Sequence, residues 1–215
     1  MKYFLIKQLV ITSVLAFAVS TLSADLIVEY DGNTGVSNPG TPGDCITGFD
    51  LTRGSGIDQG PGGINAYSSN GFEAADLDEA LSMDEYLTFG FSIATNTVVN
   101  LTDIVVDVGR TGTAGPSNIS LLFDFAGDGF DAGDVISVTA VPNQSGQLTF
   151  TGLPTGLTSA SGFVEFRFYF DGANSQGGRL DIGQSIGGGS GDVGLQVNGE
   201  ISKVPEPGTL SLIHI

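Results

Sequence analysis

The chain has 215 residues, enough for one domain of ordinary size or two small ones. Hydrophobic residues make up 40% and charged residues only 14%, with 33 glycines; this excludes a disordered chain and points to short strands joined by tight turns. A formal net charge of −17 repels phosphate backbones, which argues against nucleic acid as a partner, and the single cysteine, Cys45, excludes an internal disulfide.

Residues 1–24 read as a secretory signal peptide. Lys2 and Lys7 supply the positive start. Leu9 to Val19 is apolar except for Thr12 and Ser13, and Ala18, Ser20, Ser23 and Ala24 supply small residues for cleavage. The run is short for a membrane span, which needs about 20 apolar residues. Cleavage is expected after Ala24, with Ser20 as the alternative; an uncleaved anchor is the competing reading.

From residue 25 to 203 the chain alternates strand-like runs with Gly, Asn, Asp and Pro clusters. The runs are 25–30, 45–51, 85–95, 97–110, 117–127, 134–140, 146–152, 163–172, 179–184 and 193–202. In 85–95, Leu87, Phe89, Phe91 and Ile93 fall on one face, with Tyr86, Thr88, Gly90 and Ser92 on the other. In 163–172, Val164, Phe166, Phe168 and Phe170 form the expected core face. Phe163, Glu165, Arg167 and Tyr169 form the expected solvent face. The stretches 37–44 and 54–71 read as loop and irregular connection, and 72–84 is the only helix candidate. About ten short strands without crossover helices predict an all-β fold, an antiparallel jelly-roll-like β-sandwich.

The last predicted strand is followed at once by Val204, Pro205, Glu206 and Pro207. Two prolines fix an extended backbone that neither helix nor sheet absorbs, leaving an accessible handle. Residues 204–209 resemble the start of a PEP-CTERM sorting signal. In that family Val-Pro-Glu-Pro precedes an apolar spanning stretch and an Arg-rich end. The resemblance implies a Gram-negative bacterium and an exosortase-type membrane enzyme as partner. It also implies transient membrane anchoring through the C-terminal segment and delivery to the outer surface or extracellular matrix. Only the first part of the signal is present. Leu210 to Ile215 can be back-translated as CTGTCTCTTATACACATC, which looks like the transposon end used to fragment DNA for sequencing. On that reading 210–215 is adapter read-through, the natural gene continues, and His214, the only histidine, is not native. The body, roughly 70–203, is similar in style to domains of such sorted proteins, with Gly115-Pro116 and Asp128-Gly129-Phe130 as the matching points.

Three chemistries are open to the body. Asp124, Asp128, Asp131 and Asp134 with intervening glycines could offer oxygens to Ca²⁺, the one possible cofactor; the competing reading is a solvated turn. The loop departs from an EF-hand, with Ala126 at its third position and Val135 at its twelfth. Catalysis has little support, because without a native histidine no Ser-His-Asp or Cys-His arrangement forms. A carboxylate pair could hydrolyse a glycoside, but Glu165 beside Arg167 reads as a surface charge pair. Sugar stacking would fall to Tyr67, Tyr86 or Tyr169, since there is no tryptophan. The expectation is therefore a non-enzymatic exported protein, a structural or adhesive component of the surface or matrix that meets extracellular polysaccharide. The alternative is a Ca²⁺-assisted carbohydrate-binding module, and a glycan-acting hydrolase comes last.

Overall fold

Period-two burial builds the strands. The computed structural model of the chain describes residues 24–32, 34, 36–39, 45–61, 66–110, 113–124, 129–175, 177–183 and 193–204. Within them lie β1 (Asp25–Asp31), β2 (Ser37–Pro39), β3 (Ile46–Arg53), β4 (Asp58–Gln59), β5 (Tyr67–Asn70), α1 (Leu77–Met83) and β6 (Tyr86–Ile93). They continue with β7 (Thr97–Arg110), β8 (Asn118–Phe123), β9 (Val135–Ala140), β10 (Gly146–Phe150) and β11 (Leu157–Thr158). β12 (Phe163–Asp171), β13 (Leu180–Ile182) and β14 (Val193–Lys203) complete the set.

The strands form two antiparallel sheets packed as a jelly-roll-like sandwich. One has five strands in the order β3-β6-β12-β8-β9. The other has nine, running β2-β1-β14-β7-β13-β5-β4, with β10 and β11 also paired to β7. β7 is the spine of the larger sheet. It pairs with β14 from Thr97 to Val106, with β10 from Ile104 to Val108 and with β13 from Val108 to Arg110. A bulge where Asn198 and Gly199 face Asp103 and Leu101 shifts the pleat by one residue. Val99 and Leu101 before it, and Ile104, Val106 and Val108 after it, therefore all point inward.

The predicted core faces are the observed ones. Leu87, Phe89 and Phe91 of β6, and Val164, Phe166, Phe168 and Phe170 of β12, are fully buried in one cluster that spans both sheets. Each such side chain gains about 1.5–3 kcal/mol from leaving water. Phe89 packs on Phe168 and Phe166 with ring centroids 4.7 and 5.6 Å apart, and Phe150 of the opposite sheet meets Phe168 at 5.2 Å.

The structure corrects the expectation at several points. The irregular stretch 54–71 contains β4 and β5, and the loop 37–44 contains β2; these strands are two to four residues long and, at β5, polar, so alternation cannot reveal them. The helix candidate 72–84 shortens to α1. Residues 73 and 74 are held outside it because their backbone N–H groups donate to the Glu85 carboxylate at 2.7 and 3.1 Å. Asp76 caps α1 by accepting from Glu79 N at 3.0 Å, and Asp84, at φ 57°, closes it. Tyr169, expected on a solvent face, is buried, because α1, through Leu77, Ala80 and Leu81, and the preceding Ala74 pack over that end of the five-stranded sheet. Nearly all of the leader, Asp128, Pro205 to Pro207 and 208–215 lie outside the described residues. No helix among the described residues is long and apolar enough to cross a membrane.

Candidate functional site

Two surfaces bring chemistry-bearing side chains together. The first is the outer face of the five-stranded sheet beyond the reach of α1. Strand register places Phe49 opposite Gly90, and Gly90 opposite Glu165. Gly90 has φ 155°, and a methyl group there would sit 2.7 Å from the Phe49 ring, so the missing side chain makes the bed in which Phe49 lies. Phe49 in turn meets Phe163 edge-to-face, centroids 6.2 Å apart. Phe163 is 74% exposed, the most exposed large hydrophobic side chain among the described residues.

Beside this pair the polar groups are already fixed. Glu165 Oε1 accepts from Arg167 Nε at 2.9 Å and from Thr88 Oγ1 at 3.0 Å. The Arg167 guanidinium lies between two rings, 4.1 Å from the Tyr86 centroid and 4.2 Å from that of Phe130, and reaches the Tyr169 hydroxyl. The expected Glu165–Arg167 pair is thus present, with both side chains half-buried. The Tyr169 hydroxyl is pushed up from its ordinary pKa by burial, against the opposing pull of Arg167.

The second surface is a groove of about 570 Å³ where β3 of one sheet meets β4 and β5 of the other. Arg53 crosses that seam. Its guanidinium sits 3.9 Å above the Tyr67 ring, its Nε donates to Ser69 Oγ at 2.9 Å and its Nη2 to Ser68 O at 2.6 Å. The Tyr67 hydroxyl returns the link by donating to Leu51 O at 3.0 Å. Burial lowers the Arg53 pKa and raises that of Tyr67. Behind the groove Ser68 Oγ bonds to Asp181, a fully buried carboxylate that also takes Arg179 Nε at 2.9 Å and Nη2 at 2.8 Å. Asp50, Thr52 and Gln59 stand exposed on the groove walls.

None of the three tyrosines considered for sugar stacking is an open platform. Tyr67 lies under Arg53, Tyr86 under Arg167, and Tyr169 is buried. The exposed ring is Phe163, which the alternation of β12 had already put on the solvent face.

The aspartates of 124–134 are engaged with backbone. Asp124 accepts from Gly129 N at 2.9 Å, Asp131 accepts from Gly133 N, and Asp134 accepts from Asp131 N at 3.0 Å. The last two form a reciprocal cap on a short 3₁₀ turn at 132–134. Asp128 is outside the described residues, and among the described residues no group of three His, Cys, Asp or Glu side chains is placed to hold a metal.

At the far end of the sandwich, Lys203 pairs with Thr97 and the Val204 N–H donates to Asn96 O at 2.8 Å. The chain thus stays in the sheet up to the first residue of the Val-Pro-Glu-Pro motif.

No family model matches the chain, and no curated protein matches it. Solved structures similar to it include a carbohydrate-binding module, CBM6cm-2, from Cellvibrio mixtus lichenase 5A in complex with cellotriose. The TM-score is 0.37 at 13% identity, over 72% of this chain and 98% of that one. Another is the C-terminal CBM6 of a marine laminarinase from Zobellia galactanivorans, with TM-score 0.34, 12% identity, and 73% and 94% covered. A third is an acetyl xylan esterase from the rumen bacterium Butyrivibrio proteoclasticus, with TM-score 0.26, 14% identity, and 78% and 32% covered. Likeness at this level does not bear on what this chain binds.

Proposed function

We propose that this is an exported, non-enzymatic surface or matrix protein whose sandwich binds neutral polysaccharide on the outer face of its five-stranded sheet. The observation that carries the reading is Phe163, a ring left three-quarters in water and braced by Phe49, two residues from a prefixed Glu165–Arg167 pair. A pyranose has an apolar C–H face and a rim of hydroxyls. The ring offers a surface for the first, and the carboxylate and guanidinium offer an acceptor and donors for the second. Bracing lowers the ordering cost of binding, because neither Phe49 nor the charge pair has to be immobilised by the ligand. Glu165 is committed to Arg167 and Thr88, which favours holding a sugar over protonating a leaving group. Export rests on the Lys2/Lys7 leader, and sorting rests on the motif that begins where the last strand ends.

The test is retention of the full chain in affinity gels that contain neutral glucans or xylans. Phe163→Ala should weaken retention by up to about tenfold, since an aromatic contact is worth about 0.5–1.5 kcal/mol and 1.4 kcal/mol is tenfold. Equal mobility of the parent and Phe163→Ala in every gel would remove the sheet face as a binding site.

A further inference from the structure

We infer that the groove at the seam of the two sheets is a separate site for a sugar acid, with Arg53 taking the carboxylate and the Gln59 side of the rim taking hydroxyls. The sugar part of this ligand rests on the glycan-binding reading above; the anionic part rests on Arg53 alone.

The deciding contrast is among the arginines. Arg167 has Glu165 and Arg179 has Asp181 as ion-pair partners. Arg110, which donates to Gly115 O, and Arg53 have no carboxylate partner among the described residues, although the chain carries 24 acidic residues against 7 basic ones; of these two it is Arg53 that lines the groove. It is nonetheless held as firmly as the others, by two hydrogen bonds and a ring face. Burial already works against its charge. A half-buried cation that is fixed in place and has no ion-pair partner is a recognition element for an anion, because the ligand's carboxylate supplies that attraction without reorganising the protein. Two of its donor nitrogens, Nε and Nη2, are spent on Ser69 and Ser68. Nη1 has no hydrogen-bond partner among the described residues, so it remains for a ligand oxygen.

The rest of the wall selects what is attached to that anion. Gln59 is exposed and offers an amide to hydroxyls, and the Asp50 carboxylate on the same wall would repel a second negative charge. The net charge of −17 repels a polyanion as a whole. One carboxylate with several hydroxyls, as in an isolated uronic acid on an otherwise neutral glycan, satisfies both ends; a polyuronate or a sulfated polymer does not. The volume of about 570 Å³ is in the range of small-molecule sites.

The experiment is an NMR titration of the full ¹⁵N-labelled chain with glucuronate, glucose and acetate in turn, at about 10 mM, where millimolar affinity registers. Glucuronate should shift the amides of 50–53, 59–60 and 66–68, and glucose and acetate should each do so at least about tenfold more weakly. Arg53→Gln should abolish the glucuronate response. Because Arg53 also ties the sheets together, Thr52→Glu serves as a second variant. Thr52 is exposed, so the fold survives, and the added charge should weaken glucuronate by a similar factor. Phe163→Ala should leave this response untouched, which separates failure here from failure at the sheet face. Equal shifts with acetate would reduce the groove to a bare anion site. Equal shifts with glucose, or a glucuronate response indifferent to Thr52→Glu, would remove the role of Arg53. Silence with glucuronate would overturn the site altogether.

Discussion

The Tyr30 hydroxyl both donates to Gly90 O at 2.7 Å and accepts from Gly90 N at 2.8 Å, so that one phenol on β1 bolts the larger sheet to the middle of β6 in the smaller one. Both partners are buried, and burial pushes the phenol pKa far above its ordinary value. Tyr30→Phe keeps the ring, which packs edge-on to Phe89, but removes both hydrogen bonds to the buried Gly90 backbone. The expected loss is about 1–3 kcal/mol, read as a lower urea midpoint with an unchanged slope. Gly90→Ala should cost more than Tyr30→Phe, because its methyl group would stand 1.9 Å from Val164 O.

Glu85 gives the fold a pH dependence of defined sign. Its carboxylate is buried and accepts from the N–H groups of residues 73 and 74; burial, the largest influence, raises its pKa above the usual 4.5. A carboxyl with a raised folded pKa holds its proton more tightly folded than unfolded. Its stabilising contribution is complete below the ordinary value and is lost as pH rises through the folded one. The stability of the parent relative to Glu85→Gln should therefore increase as pH falls from neutrality towards 4.5. Parallel stability curves for the two proteins across that window would show that Glu85 does not titrate there.

Reading the sequence recovers what period and composition encode and misses what packing creates. The inward faces of β6 and β12 follow from alternating Phe, Leu and Val, and the Glu165–Arg167 pair follows from the opposite phase of the same strand. The fate of Tyr169 does not, because only the docking of α1 decides which part of a polar face is covered. The groove is equally silent in sequence. Arg53 and Tyr67 meet because β3 and β5 belong to different sheets that close on each other at one edge, and no spacing rule carries that. A legible hint is the scarcity of cations: in so acidic a chain each arginine is a candidate for a specific contact, although Arg53 lies just beyond the predicted run 45–51.

Arg167 should tolerate lysine poorly. Its guanidinium stacks between Tyr86 and Phe130 while two of its nitrogens reach Glu165 and Tyr169. An ammonium group is a point charge that cannot fill a slot between two rings and fork at the same time. Arg167→Lys is expected to cost about 1 kcal/mol, and thus lower the melting temperature by about 2–4 °C for a domain of this size. The same substitution should weaken neutral-glycan retention, because Glu165 loses the partner that orients it. Retention unchanged in a protein melting several degrees lower would confine Arg167 to a structural role.

The aspartates of 124–134 make opposite predictions according to whether they serve backbone or metal. As described, Asp131 and Asp134 cap a 3₁₀ turn reciprocally and Asp124 holds Gly129. Asp131→Ala should then cost about 0.5–2 kcal/mol, as the loss of a cap does. That cost should be the same in EDTA and in excess Ca²⁺, because a turn held by N–H groups gains nothing from a cation. A Ca²⁺ site gives a different pattern. Specific binding to the folded state raises the melting temperature by mass action, and the rise disappears when a ligand is removed. Melting curves of the parent, Asp131→Ala and Asp128→Ala, each with Ca²⁺ and with EDTA, separate the two. A Ca²⁺-dependent rise abolished by Asp128→Ala would make the loop a metal site, whereas coincident curves for each protein leave its aspartates to the turns they close.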